Sequence, residues 1–102
     1  MGFNVVLQDE LGGRVDGIDD PKGLLDKLLP DLGSNEYPFL ASIDPYGDTT
    51  FNNRQIRHFL NEWVMVSQRA RTAEEQALVA YIESLARRCQ DEVHVYLKFV
   101  GD

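Results

Sequence analysis

Two aspartates beside a glycine, Asp44 and Asp48, have the residue type and close spacing of a cation-binding loop. A calcium loop of the EF-hand kind needs oxygen ligands at positions 1, 3 and 5, glycine at position 6 and glutamate at position 12. Counted from the first aspartate, these positions hold Asp44, Tyr46, Asp48, Thr49 and Gln55, so three of the five do not fit. The segment also lacks the glycine-rich run and lysine of a phosphate-binding loop. The residues Asp-Pro-Tyr-Gly at 44–47 instead predict a type I turn.

The remaining candidate metal ligands are three aspartates near residue 18 and two histidines. Asp16, Asp19 and Asp20 lie just before a predicted helix, where helix capping and the helix dipole explain acidic residues. His58 and His94 are too far apart in the sequence to form a short zinc-binding motif. We therefore expect no metal and no other cofactor.

Candidate nucleophiles give little support for catalysis. Cys89 is the single cysteine, and it falls on the apolar side of a predicted helix near the C-terminal end, where the dipole opposes a thiolate. This pattern predicts a buried structural thiol, and a lone cysteine is typical of a reducing compartment, which favours the cytoplasm. No serine lies in a Gly-x-Ser-x-Gly motif. The sequence therefore favours a non-catalytic protein over an enzyme.

Aromatic and charged residues around the 44–47 turn form a candidate binding surface. Tyrosines beside acids and arginines are a common composition of protein interfaces. Two alternatives stay open: the tyrosines are ordinary amphipathic surface residues, or residues 44–58 form a small-ligand or enzyme site at the junction of a hairpin and a helix. The candidate interface residues are Tyr46, Asp48, Arg54, His58 and Tyr96.

The charge of the chain is unevenly distributed. The formal net charge is −7; residues 1–50 hold ten acids and three bases, whereas residues 51–102 hold seven of each. A negative first half repels phosphate backbones, so nucleic-acid binding is disfavoured. It attracts a basic protein surface, although a role in solubility explains the same charge. Size, acidity and the lack of a catalytic motif together permit an inhibitor of the immunity-protein or antitoxin kind.

The first half of the sequence predicts strands around one helix. Residues 3–8 alternate as a strand, and Gly12-Gly13 predicts a turn into a second short strand. Asp20-Pro21 is typical of a helix start, with four leucines at 24, 25, 28 and 29 as its apolar stripe. The apolar run at 39–43 and the Thr-Thr-Phe segment at 49–51 predict a β-hairpin over residues 39–51.

The second half predicts two helices and a final strand. Asn52 with Gln55, and Thr72 with Glu75, have the spacing of capping boxes that begin helices. Apolar residues at helical spacing follow each box, and the short gap between the helices predicts an antiparallel pair. Residues 93–100 alternate between apolar and polar and predict the last strand.

These elements predict a single α+β domain over residues 1–102, a small two-layer domain in which three helices pack on one face of a mostly antiparallel sheet. The element order is β-(β)-α-β-β-α-α-β, in which the strand in parentheses is a short one around Val15 and Ile18. No apolar run reaches the roughly 18 residues of a membrane span. A homodimer through the edge of the final strand is a further prediction. A free strand edge can pair with a second copy, and Lys98 is the one obvious charged residue on the outward-facing positions of this strand that would oppose such pairing.

Overall fold

A computed structural model describes residues 2–31 and 33–101 of the chain. It contains a four-stranded sheet, two long helices and two short ones. In chain order the elements are β1 (Asn4–Asp9), β2 (Arg14–Asp19), α1 (Leu25–Leu28), α2 (Pro38–Ala41), β3 (Asp48–Phe51), α3 (Ile56–Arg69), α4 (Ala73–Asp91) and β4 (Val95–Val100).

The sheet has the order β2-β1-β4-β3, and each neighbouring pair is antiparallel. Asn4 pairs with both Asp19 and Val100, and Val100 pairs in turn with Asp48, so one row of residues crosses all four strands. The predicted fold class, a small α+β domain with a mostly antiparallel sheet, is confirmed.

The core lies between the sheet and the long helices. On β4, Val95, Leu97 and Phe99 are buried, while the residues between them are half-buried on the opposite face. Phe99 contacts the rings of Phe59 and Trp63 on α3. Period-two alternation in a strand thus directs one set of side chains to the helices. Among the residues that the structure describes, 22 buried ones form one continuous cluster, which supports a single core.

The predicted strand at 39–43 is wrong, and so is the hairpin over 39–51. Residues Pro38–Ala41 form the short helix α2, with Pro38 in its first turn. A short apolar run has no period that separates a buried strand from a buried helical turn. Strand β3 is present where predicted, but its partner is β4 and not the segment before the turn.

The first predicted helix is present but shorter than expected. It spans Leu25–Leu28 and not the residues that directly follow Pro21. Asp20 accepts hydrogen bonds from the amides of Leu24 and Leu25, as a capping residue would, but from four and five residues away. Leu25 and Leu28 are buried, so the predicted apolar stripe is confirmed at its centre.

The predicted start of α4 is confirmed, whereas α3 begins at Ile56, later than the predicted cap at Asn52. Thr72 and Glu75 form a complete capping box at α4. The amide of Asn52 donates to Gln55 Oε1 at 2.9 Å, and the amide of Gln55 donates back to Asn52 Oδ1 at 2.9 Å, one turn ahead of α3. These reciprocal bonds satisfy amides that a helix start leaves without partners.

The sheet order removes the predicted dimer contact. Strand β4 is hydrogen-bonded to β1 on one side and to β3 on the other, so it has no open edge for a second copy. The prediction of a homodimer through that edge is therefore wrong; the outer strands are β2 and β3. Among the described residues, no helix is long and apolar enough to cross a membrane.

Candidate binding cleft

A cleft of about 290 Å³ lies between the start of β1, the end of α1 and the segment that joins α2 to β3. Its floor is apolar and includes the buried Phe3, Leu40 and Ile43. Its rim carries two exposed carboxylates and one exposed aromatic ring. The lining residues are Gly2, Phe3, Asp26, Leu29, Pro30, Asp31, Leu40, Ile43, Pro45 and Tyr46.

The α1 wall of the cleft is held in place by a buried carboxylate. Asp20 is only 3% exposed, and its two oxygens accept from the amides of Leu24 and Leu25, each at 2.9 Å. A four-residue helix forms too few internal hydrogen bonds to be stable alone. The two bonds from Asp20 therefore fix where α1 begins, and with it the position of Asp26 on the rim.

The α2 wall is held in the same way by a residue from α3. The carboxylate of Glu62 accepts from the amides of Phe39 at 3.2 Å and Leu40 at 2.9 Å. These amides belong to the first turn of α2, which has no cap from its own preceding residue. Glu62 therefore selects a helical turn for this segment and directs Leu40 into the floor of the cleft.

The third wall is the turn at residues 44–47, which is present as predicted. The amide of Tyr46 donates to Asp44 Oδ1 at 2.8 Å, and the amide of Gly47 donates to the Asp44 carbonyl at 3.4 Å. Behind the turn, the amide of Gly101 donates to the Gly47 carbonyl at 2.7 Å. A Cβ on Gly101 would lie 2.6 Å from the backbone of Asp44 and Pro45, so glycine is what permits this close packing.

The charge around the cleft is negative. Asp26 and Asp31 are exposed on its rim, and within residues 2–31 and 33–101 neither carboxylate forms an ion pair. No lysine, arginine or histidine is among the described residues that line the cleft. Tyr46 is 76% exposed beside these acids. An apolar floor, two carboxylates and an aromatic ring suit a long side chain with a cationic end.

The predicted interface residues divide among four places. Tyr46 lies on the cleft rim. Asp48 and Tyr96 lie on the face of the sheet away from the helices, where Lys98 Nζ is 3.3 Å from Asp48. His58 is on α3, which packs against the other face, and its ring stacks on Phe39 with centroids 5.1 Å apart.

Arg54 lies at the junction of β3 and α3, in a separate shallow depression of about 450 Å³ lined also by Asn53, Arg57 and Gln90. Asn53, Arg54 and Arg57 of this lining belong to the predicted 44–58 ligand region, whereas Gln90 does not. Asn53 Nδ2 donates to the carbonyls of Cys89 and Gln90, at 3.1 and 2.8 Å, and so ties α3 to the end of α4. The contacts of Asn53 are therefore structural.

No group of three or more acids, histidines or cysteines that could hold a metal ion occurs in the part of the chain that the structure describes.

Comparison of the chain with protein-family models, curated proteins and solved structures found no match.

A second polar cluster joins the outer strand β2 to α4, away from the cleft. Asp16 accepts from the Tyr81 hydroxyl at 2.6 Å, the Gly17 amide at 2.7 Å and Arg88 Nη1 at 3.0 Å. The Tyr81 hydrogen bond, the Gly17 amide and the nearby arginines lower the pKa of Asp16 below its ordinary value. The same hydrogen bond raises the pKa of Tyr81. The members of this cluster satisfy one another, which is typical of a structural tie.

Cys89 is fully buried, as predicted, and burial raises the pKa of its thiol to about 11. Its sulfur lies 3.4 Å from the Val95 carbonyl. A neutral, enclosed thiol is a poor nucleophile. Cys89 therefore contributes to packing between α4 and β4.

Sequence reasoning identified Tyr46 but missed Asp26 and Asp31 as members of a site. Their spacing in the sequence resembles that of ordinary solvent-facing helix residues. The cleft forms only because α1, α2 and the turn meet at the start of β1. A signal was nonetheless present in the excess of acids in residues 1–50, which contains Asp26 and Asp31.

Proposed function

We propose that this protein is a small, non-catalytic binding module that engages a basic surface on another protein through its α1–α2 side. The observation that carries the proposal is the set of exposed carboxylates on this side of the molecule: Asp26 and Asp31 line the cleft with the exposed Tyr46, and Glu36 and Asp44 are exposed on the segments that follow. Of the charged residues from 26 to 44, Lys27 is the single base.

The physical basis is electrostatic attraction over a surface that also offers apolar contact. Exposed carboxylates steer a basic partner toward the protein and raise the association rate. Tyrosine is a frequent contributor to binding energy because its large ring loses little conformational entropy on burial. An inhibitor of the immunity-protein or antitoxin kind, acting in a reducing cytoplasm, is one concrete form of this proposal.

A direct test is capture of proteins from native cell lysate on the immobilised protein at low and high salt. We expect a retained basic protein at low salt and its release at high salt, because salt screens exposed charges beyond about 10 Å at 0.1 M. The test variant carries Asp26→Asn, Asp31→Asn and Glu36→Gln. The matched control carries Asp19→Asn, Glu83→Gln and Asp91→Asn, which remove the same charge elsewhere.

The variant should lose the retained protein and the control should keep it. Equal retention by the two would place binding outside the α1–α2 side and refute the proposal. Equal loss by both would mean that net charge alone governs capture, which also contradicts a defined surface.

A small-ligand function at residues 44–58 remains a second proposal, supported only by the depression beside Arg54 and Arg57. Thermal-shift measurements with divalent metals and nucleotides test it. A ligand at a hundred times its dissociation constant would add about 2.7 kcal/mol to the free energy of unfolding. If none of these ligands raises the melting temperature, this second proposal has no support.

A further inference from the structure

The cleft has the size and lining of a site for one amino-acid side chain. At about 290 Å³ it lies at the lower end of the range of roughly 300–1,000 Å³ that is usual for cofactors and drug-sized ligands. Its floor is closed by Phe3, Leu40 and Ile43, which are at most 4% exposed. A long, unbranched side chain would bury its aliphatic part there and leave its polar end at the rim.

The rim determines which side chain fits. Asp26 and Asp31 lie on the α1 side, with the half-buried Leu29 and Pro30 between them in the sequence. Tyr46, from the turn at residues 44–47, lines the same cleft and is 76% exposed. A guanidinium group can donate to two carboxylates at once and can stack on an aromatic ring, whereas an ammonium group is a compact, strongly hydrated charge.

We propose that this cleft binds one arginine side chain of the basic protein partner, with the guanidinium group between the two carboxylates and the tyrosine ring. The inference rests on the proposed function, because it assumes a basic protein partner. It goes further in assigning the contact to one side-chain type and one cleft. The described lining of the cleft includes two acids and no base, whereas Lys27 and Arg69 line an adjoining depression that shares the same two acids.

The walls of the cleft are rigid enough for such selection. The carboxylates of Asp20 and Glu62 each accept hydrogen bonds from two successive backbone amides, Asp20 at the start of α1 and Glu62 in the first turn of α2. A Cβ on Gly2 would lie 1.5 Å from the Asp20 carbonyl oxygen, and a Cβ on Gly101 would lie 2.6 Å from the Pro45 carbonyl oxygen. Both sides of the cleft are therefore packed against neighbouring backbone, which reduces the cost of ordering on binding.

The experiment uses N-acetylarginine methylamide as the probe and follows backbone amide signals of the full chain by two-dimensional NMR. The matched probe is N-acetylcitrulline methylamide, which has the same shape and no charge. We expect millimolar binding of the arginine probe, with shifts concentrated on cleft residues such as Asp26, Leu29 and Ile43. The citrulline probe should bind about tenfold more weakly, or about 1.4 kcal/mol less favourably.

Variants then test the individual contacts. Asp31→Asn and Tyr46→Ala should each weaken binding of the arginine probe, whereas Asp19→Asn, an exposed acid on β2, should not. The amide spectrum of each variant shows whether it is folded. Asp31 and Tyr46 are both exposed, so we expect these two variants to fold.

The outcomes separate this inference from the proposed function. Equal binding of the citrulline probe, equal binding of a lysine probe, or shifts outside the cleft would each overturn the arginine site. Signals that move with protein concentration and not with the probe would indicate that a second copy occupies the cleft, which also overturns it. If lysate capture depends on Asp26 and Asp31 but the probe does not bind, the proposed function stands without the arginine site.

Discussion

Replacement of Asp20 by alanine should destabilise the protein strongly, although Asp20 lies in a connecting segment. The carboxylate is 3% exposed and accepts two backbone amides at 2.9 Å. A hydrogen bond to a charged group contributes about 1.5–3 kcal/mol to the free energy of unfolding. The two bonds together give about 3–6 kcal/mol. Because the amide of Leu24 is only partly buried, water should replace part of one bond, and we expect a loss of about 3–4 kcal/mol.

A loss of that size is a large fraction of the free energy of unfolding, which is usually about 5–15 kcal/mol for a native protein. It would lower the melting temperature by roughly 12–32 °C, at 4–8 °C per kcal/mol for a domain of this size. Urea unfolding at neutral pH measures it, with the fluorescence of Trp63 as the signal, since this single tryptophan is 1% exposed. Asp20→Asn keeps one acceptor oxygen and should lose about 1–2 kcal/mol.

The matched control is Asp19→Ala, the exposed neighbour at the end of β2. It should change the free energy of unfolding by no more than about 0.5 kcal/mol. If Asp20→Ala loses less than about 1 kcal/mol, or if the two alanine variants lose the same amount, the two amide bonds do not fix α1 as argued. The position of α1 in the cleft wall would then have another cause.

Three further predictions concern positions outside α1. Glu62→Ala should lose about 1–3 kcal/mol in the same urea assay, because two amides of α2 lose their acceptor; an unchanged midpoint would contradict this role. Asp16→Asn should flatten the fall in melting temperature at low pH. The lowered pKa of Asp16 means that its ionised form favours the fold above the unfolded value of about 3.9, and that this contribution is lost as the pH falls through the folded value. Native Cys89, whose thiol pKa is raised to about 11, should not react with Ellman's reagent at pH 8 and should react fully in urea; rapid reaction of the native protein would show that the thiol is accessible.

Local signals in the sequence were enough to predict the long elements. The capping boxes that begin with Asn52 and Thr72 use bonds between residues three apart, so they can be read directly. The alternation at 93–100 likewise predicted the buried face of β4, although the strand begins at Val95 and Val93 is 67% exposed. In α3, by contrast, Val64 lies at helical spacing from Leu60 and is nevertheless 56% exposed, while Val66 is buried. Helical spacing alone does not fix the rotation of a helix against its sheet.

The errors lie where distant residues decide local structure. The 39–43 run has no period of its own, and α2 is selected by Glu62, 23 positions after Phe39. The sheet order could not be predicted from local signals either, because β1 pairs with β4 and these strands lie near opposite ends of the chain. The cleft combines residues from three separate segments. Sequence spacing therefore could not predict the site, and only the excess of acids in the first half indicated its chemistry.

The sheet order has a consequence for how the chain folds as it is synthesised. Val5 pairs with Phe99, which is 94 positions later (99 − 5 = 94). Until β4 has left the ribosome, β1 can form only its hairpin with β2, and the apolar side chains of Val5 and Leu7 lack the sheet neighbours that bury them. Because closing so long a loop costs entropy before the contacts repay it, this central pairing should limit the folding rate. Nascent chains that pause before residue 95 are therefore the species most exposed to aggregation and to chaperones.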